Sequence, residues 1–211
     1  MRTIPLAAAL LFLPHASGVQ DPAPAAGPRP AASFATAVER AQQAFAAGLH
    51  GETVAALQAA ILAVQQLQRA AILAALPAPA GFAIDDVAPR RDEADPFAAG
   101  IQSLGLDVER RCRRGEETRL DFEVSTNSPL AHVFARQLET PDALTGKGLA
   151  LQAFGAHRGV LDSRDDERHE LTVVLIGRHV LKVTADHLPR AELLGIVDRA
   201  FIERLAEILA R

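Results

Sequence analysis

Two histidines and an aspartate in the last third of the chain have the chemistry of a metal or hydrolytic site. His169 precedes one apolar run, while Asp186 and His187 follow the next, so a hairpin between the runs brings the three side chains to its open end. Imidazole nitrogens and carboxylate oxygens are ligands for transition metals. Exposed strand ends also carry these residue types without any ligand. His169, Asp186 and His187 are therefore the candidate metal-binding or hydrolytic site.

Four arginines around the chain's lone cysteine form its most basic stretch. Such a stretch could contact an anionic surface, such as lipid headgroups, lipopolysaccharide or nucleic acid. The alternative is pairing across a hairpin, because Asp121 and Glu123 lie on the next run and glutamates flank the arginines on both sides. These acids weaken the local positive field, so we favour pairing. The arginines concerned are Arg110, Arg111, Arg113 and Arg114.

Carboxylates crowd the stretch between residues 85 and 95. Calcium binds clustered carboxylate oxygens, but the spacing here matches no EF-hand loop. Arg90 and Arg91 lie in the same stretch and compete for the acids. We therefore predict no calcium site there. The acids concerned are Asp85, Asp86, Asp92, Glu93 and Asp95.

The short motifs of well-known catalytic sites are missing from the sequence. It has no G-x-S-x-G nucleophile elbow, no phosphate-binding glycine loop and no H-E-x-x-H. Ser128 and His132 could be drawn into a triad with an aspartate, but Ser128 before Pro129 is better placed as a helix cap. The net charge of −4, from 22 Lys+Arg and 26 Asp+Glu, counts against a nucleic-acid binder. We assign no catalytic residue, no cofactor and no nucleic-acid partner.

The N-terminal residues have the three regions of a secretory signal. Arg2 precedes an apolar run of ten residues at 4–13, and the small residues Ala16 and Gly18 follow. A run of ten residues cannot cross a bilayer, which takes about 20. We predict a signal peptide at residues 1–18, no transmembrane segment after its cleavage, and residence in the periplasm or outside the cell. Residues 19–32, rich in proline and alanine, are predicted to form an extended linker.

Residues 33–77 are predicted to form an antiparallel helical hairpin. Apolar residues recur at steps of four, three and four from Phe34 to Phe45, and at steps of three, four and three from Val54 to Val64. Alanine-rich faces permit the two helices to approach closely. One helix pair cannot make a repeat array. The pair either packs on the rest of the protein or presents its wide apolar surface to a protein partner.

Residues 106–211 are predicted to form a sheet domain, after a charged connector at 78–105. Period-two alternation on both sides of Gly115 indicates a β-hairpin that places Cys112 on the apolar face as an inert thiol. The clearest hairpin turns at Gly177 and Arg178, with a two-residue loop. The fold class is α+β: the helical hairpin, then an antiparallel sheet of five or six strands packed with an inserted helix and a C-terminal helix.

Several short stretches carry a resemblance. They are Phe45-Ala46-Ala47-Gly48, the segment from Leu76-Pro77-Ala78-Pro79 to Gly81-Phe82, Ser125-Thr126-Asn127-Ser128-Pro129-Leu130, and Ile176-Gly177-Arg178 before the last helix. In their order, and with the export signal, they resemble a family of secreted proteobacterial proteins without an assigned activity. The resemblance covers most of the mature chain and implies the α+β fold. It implies no catalytic residue and no substrate.

Together these features predict an exported, non-enzymatic module of the cell envelope that binds a partner or ligand. The helical hairpin is the expected docking element for a protein partner, and the oligomeric state is left open. The alternative is a metal-dependent or hydrolytic enzyme that uses the His169, Asp186 and His187 end of the sheet.

Overall fold

The computed structural model describes residues 30–88, 105–139, 144 and 149–211. The predicted signal peptide, residues 19–29 of the predicted linker and residues 89–104 of the connector lie outside the described residues, and so do Asp92, Glu93 and Asp95. Within the described ranges, helices come first and an antiparallel sheet with further helices follows. The predicted α+β fold class is therefore confirmed.

The described helices lie in the N-terminal third of the described chain, within the sheet domain and at the C-terminal end. The first begins at Pro30 rather than at residue 33, because proline is tolerated in the first turn of a helix. A new helix starts at Asp198, whose Oδ1 accepts a hydrogen bond from the Phe201 N–H at 2.7 Å and caps its first turn. The described helices are α1 (Pro30–Ala46), α2 (His50–Ala75), α3 (Ala131–Leu138), α4 (Arg190–Ile196) and α5 (Arg199–Leu209).

The described strands form one sheet of seven, and every neighbouring pair is antiparallel. Their order across the sheet is β1-β2-β3-β7-β6-β5-β4. Five or six strands were predicted; one of the seven comes from the segment predicted to be only a connector. The strands are β1 (Ala83–Asp86), β2 (Asp107–Arg114), β3 (Thr118–Ser125), β4 (Leu149–Phe154), β5 (His157–Asp162), β6 (Arg168–Leu175) and β7 (His179–Asp186).

One face of the sheet, called the core face here, is covered by α4, α5 and the C-terminal end of α2. Fully buried side chains from the five inner strands fill it, and the Phe122 ring meets the Phe201 ring of α5 edge-on at 6.2 Å between centroids. Cys112 lies on this face, and burial raises the pKa of its thiol to about 11. The thiol therefore stays protonated at neutral pH, in agreement with the predicted inert role.

The opposite face of the sheet, called the polar face here, carries mostly charged and polar side chains. Opposite charges meet there between neighbouring strands, where Lys182 contacts Glu170 at 3.1 Å, and along one strand, where Arg119 contacts Asp121 at 2.9 Å. α3 covers one end of this face. There its Phe134 packs over a small buried cluster with Val174 and Val180.

The hairpin between β6 and β7 turns through three residues, not the predicted two. Leu175 pairs with His179, so Ile176, Gly177 and Arg178 form the loop. Ile176 and Gly177 both have positive φ, at 53° and 69°. The glycine that suggested a two-residue loop therefore sits second in a longer one, and the pairing shifts by one residue.

His179 is the first residue of β7 and is buried at the loop end of the sheet. Its Nδ1 accepts a hydrogen bond from the backbone N–H of Asn127 at 3.1 Å, and the Nε of Arg178 lies 3.1 Å from its Nε2. A backbone N–H can only donate, so Nδ1 must stay unprotonated to accept. Burial, followed by the positive charge of Arg178, lowers the pKa of His179. The folded protein therefore holds this imidazole neutral.

We expect His179 to make the fold sensitive to mild acid. With its pKa lowered on folding from the usual value of about 6.5, its contribution to stability is complete above that pH. The contribution falls as the pH drops toward the folded-state pKa, because the unfolded chain then binds the extra proton. His179→Asn keeps an acceptor oxygen near the position of Nδ1 but does not titrate. Urea unfolding from pH 7.5 to pH 5 should show a smaller loss of stability in this variant; an equal loss in both proteins contradicts the assignment.

Candidate functional site

The structure does not bring the three predicted metal-site residues to one face of the sheet. His169 is buried on the core face, beside Ala185 in the β6–β7 register, and its Nδ1 has no hydrogen-bond partner among the described residues. Asp186 points to the polar face, where it contacts Arg168 at 3.6 Å. His187 follows with a φ of 51°. No group of three metal-ligating side chains occurs within the described part of the chain.

Asp186 and His187 instead line an open cleft of about 540 Å³ between the β2–β3 turn and the end of β6–β7. Three arginines and five carboxylates line the same cleft, so it favours neither anions nor cations strongly. The remaining lining residues are Arg113, Glu116, Glu117, Thr118, Arg119, Asp165, Glu167 and Arg168.

The predicted arginine run is split between the two faces of the sheet, because successive side chains of a strand point to opposite sides. Arg110 is buried on the core face; its Nε and Nη2 donate to the Asp86 carboxylate at 2.6 and 2.9 Å, and its Nη1 donates to the Leu76 carbonyl at 2.8 Å. This hydrogen bonding raises the pKa of Arg110 and lowers that of Asp86. Arg110 is therefore a structural clamp between β1, β2 and the end of α2.

The other arginines of the run also have defined surroundings. Arg114 donates to Glu192 of α4 at 2.6 and 3.2 Å and lies 4.7 Å from the Phe82 ring centroid. On the polar face, Arg111 donates to Glu109 at 2.6 Å and lies opposite Asp121. Arg113 is exposed beside the cleft. Three of the four thus contact acidic side chains, and the four do not form one basic patch.

The helical hairpin is held together by alanines. Ala37, Ala41 and Ala44 of α1 are buried in the described structure, and so are the α2 alanines at 56, 60 and 63. Small side chains at the contact let two helix backbones approach closely. The larger apolar side chains of both helices are therefore left beside the contact rather than inside it.

The apolar stripe of α2 lies in solvent. Val54, Leu57, Ile61 and Val64 each expose between 46% and 55% of their surface. On α1, Phe45 exposes 66%, Phe34 is also exposed, and Val38 is half-buried. Sequence periodicity predicts these side chains on one side of each helix, but it also places Ala41 with them, and Ala41 is buried against α2. Periodicity cannot tell whether a stripe faces its neighbour or the solvent.

The two stripes lie on the same side of the hairpin. Around each helix axis, successive residues are about 100° apart. On this basis, the centre of the stripe lies roughly 70° from the centre of the alanine contact on α1 and roughly 110° from it on α2. In both helices the rotation from contact to stripe has the sense in which the chain itself winds. Because the helices run antiparallel, rotations of the same sense bring both stripes to one side. We call this surface the hairpin apolar face, and its members are Phe34, Val38, Phe45, Val54, Leu57, Ile61 and Val64.

Only the base of the hairpin is built into the domain. Within the described residues, the hairpin supplies Ile72, Ala75 and Leu76 to the main core, with Leu73 at its margin. Arginines also hold this end: Arg204 of α5 donates to the Ala75 carbonyl at 3.1 Å, Arg110 donates to Leu76, and Arg69 donates to the Val87 carbonyl. The bonds to Ala75 and Leu76 satisfy carbonyls that the end of α2 leaves unpaired, and the bond to Val87 ties α2 to the chain after β1. The tip of the hairpin, with its apolar face, therefore projects from a firmly attached base.

The fold and this surface define an α+β protein whose projecting helical hairpin carries an exposed apolar face. Comparison with protein-family models, with curated proteins and with solved structures finds no match. The resemblance to secreted proteobacterial proteins stays a prediction. No described helix is long and apolar enough to cross a membrane.

Proposed function

We propose that the protein is a non-enzymatic binding module of the periplasm or cell exterior, and that its helical hairpin docks a protein. The observation that carries the proposal is the arrangement of the hairpin tip. Alanines fill the contact between the helices, while the large aliphatic and aromatic side chains face solvent on one side. Contiguous apolar surface of this kind is typical of an interaction site.

The hairpin apolar face exposes enough apolar surface to drive the binding of another protein. Seven large apolar side chains at these exposures present on the order of 600 Å² of surface, compared with 300–600 Å² for the largest patch of a typical monomer. Covering that area contributes on the order of 15 kcal/mol before the cost of association is subtracted. A protein that buries this face therefore has a strong driving force to bind.

The charges of the hairpin favour a protein over an anionic membrane surface. Helices that bind such membranes carry lysines and arginines around the apolar side. Here α1 and α2 together contain Glu39, Arg40, Glu52 and Arg69, which cancel. Arg40 also lies 4.0 Å from Glu52. The hairpin is thus neutral and apolar, as expected for a surface that packs against another protein.

Site-specific photocrosslinking in the native cell envelope tests this proposal. A photoreactive amino acid replaces Leu57 on the hairpin apolar face, and in a matched variant it replaces Leu62. Leu62 is on the same helix and 59% exposed, but it points away from the face. We expect a discrete covalent product with a protein from position 57 and not from position 62. No product at either position, or equal products at both, contradicts docking through this face.

Export is tested separately by the N-terminus of the protein recovered from cells. We expect a chain that begins at Val19 and is found in the periplasm or the medium, because the predicted cleavage follows Gly18. A cytoplasmic chain that keeps residues 1–18 contradicts this part of the proposal and leaves the hairpin argument standing.

A further inference from the structure

We infer that the protein docked on the hairpin apolar face is a second copy of this chain, so that two hairpins pack face to face as a four-helix bundle. The inference rests on the proposed function and names the partner. Its evidence is the spacing of the face, its charge and its area.

The first observation is that both helices carry the repeat of a helix-packing seam. The exposed stripe of α2 runs Val54, Leu57, Ile61, Val64, at steps of three, four and three. The stripe of α1 runs through Phe34, Val38 and Phe45 at steps of four and seven, because Ala41, the residue that would complete the repeat, is buried against α2. Side chains at these steps interdigitate with those of another helix. A face made of two such seams is complemented by a partner with two helices, and a second hairpin has them.

The second observation is that two copies of the face can meet without repelling each other. The described hairpin has no net charge, whereas the whole chain has a net charge of −4. Its four charged side chains are Glu39, Arg40, Glu52 and Arg69, and none belongs to the stripes. A two-fold contact brings the same patch of both subunits together, so it requires a surface that is compatible with itself. This neutral apolar face meets that requirement.

The third observation is the size of the face. A standard stable interface buries about 800 Å² on each partner. The apolar side chains of the face supply on the order of 600 Å², and the polar rim around any contact adds to this. The area is thus close to what a dimer of moderate affinity needs, and the dimer should dissociate on dilution.

Sedimentation velocity of the mature chain over a range of concentrations tests the inference. The central pair of variants is Ile61→Glu, within the face, and Leu62→Glu, which is next in sequence but outside it. We expect the wild type and Leu62→Glu to form dimers. Ile61→Glu should raise the dimer Kd by more than about 30-fold, because each subunit would bury an unpaired carboxylate.

Circular dichroism melts show whether each variant is folded, and Leu57→Glu serves as a second face variant should Ile61→Glu fail to fold. A wild type that is monomeric at every concentration overturns the inference, as does equal weakening by Ile61→Glu and Leu62→Glu. A monomeric wild type whose position 57 crosslinks to a different protein overturns the second copy as partner but supports the proposed docking function. A monomeric wild type with no crosslink overturns both.

Discussion

Replacing Arg110 with methionine is expected to lower the free energy of unfolding by about 3 kcal/mol. The guanidinium donates to both oxygens of Asp86 and to the Leu76 carbonyl, and only 9% of Arg110 is exposed. Methionine keeps much of the apolar stem but leaves the carboxylate and the carbonyl without their donor. The effect lies at the lower end for a broken buried pair, because the Asp86 side chain is 38% exposed and solvent can partly replace the arginine.

Arg111→Met is the matched control for this prediction. Arg111 is the next residue and contacts Glu109 at the same 2.6 Å, but on the polar face, where water screens the pair. The loss of the Arg111 contact should therefore cost much less stability than the loss of the Arg110 contacts, because an exposed ion pair contributes little. Urea unfolding of both variants measures their free energies of unfolding. Equal losses of stability in the two variants would mean that the buried Arg110 contacts stabilise the fold no more than an exposed ion pair does.

The Arg110–Asp86 pair should also affect how the stability of the protein depends on pH in the acidic range. The pKa of Asp86 is lowered, mainly by its hydrogen bonds from Arg110. The contribution of Asp86 to stability is therefore present above the carboxyl's ordinary pKa and is lost as the pH falls through its lower folded-state value. Arg110→Met removes the cause of the shift, so the variant should lose less stability than the wild type over that acidic window.

Replacing Ile72 with alanine is expected to cost about 3 kcal/mol, although Ile72 belongs to a helix that projects from the domain. Its side chain is fully buried in the main core, where the base of α2 packs on α5 and the sheet. Removing its outer carbons leaves a cavity that the rigid surroundings fill only in part. Thermal or urea unfolding should show the loss in one cooperative transition that includes the sheet.

Leu62→Ala provides the comparison on the same helix. Leu62 is 59% exposed and outside the hairpin apolar face, so its truncation should change stability by less than about 0.5 kcal/mol. If Ile72→Ala lowers the stability as little as Leu62→Ala, the hairpin base is not part of the core.

The buried base also determines which deletion removes the hairpin without removing core side chains. Deleting residues 33–77 takes away Ile72, Ala75 and Leu76, whereas deleting residues 30–68 spares these core side chains.

Periodicity was sufficient to find most of the elements. The helical hairpin, the inserted helix, the hairpin around Gly115 and the break before Asp198 all follow from local patterns of apolar residues, glycine and capping residues. The edge strand Ala83–Asp86 was missed, because all four of its residues are exposed and show no alternation. It is held by pairing with β2 and by the Asp86 contact to Arg110, neither of which is a local property.

The candidate sites depended on register, which local patterns specify poorly. A two-residue loop was expected between β6 and β7, and the three-residue loop shifts the pairing by one position. Such a shift changes which side chains share a face. His169 and Asp186 consequently lie on opposite faces of the sheet, although both are at its predicted open end. The arginine run was dispersed for a related reason, since neighbours in a strand point to opposite sides.

The α+β class, the order of most elements and the two apolar stripes of the hairpin could all be predicted from the sequence, because each follows from the spacing of residues over a short stretch of chain. Whether those stripes face a neighbouring helix or the solvent depends on tertiary packing. The alanines allow the two helices to meet along another side, and among the described hairpin residues those buried in the main core are Ile72, Ala75 and Leu76, all at the base. Burial depends on which surfaces remain after the best-packed contacts have formed. The apolar face at the hairpin tip is what this fold leaves uncovered.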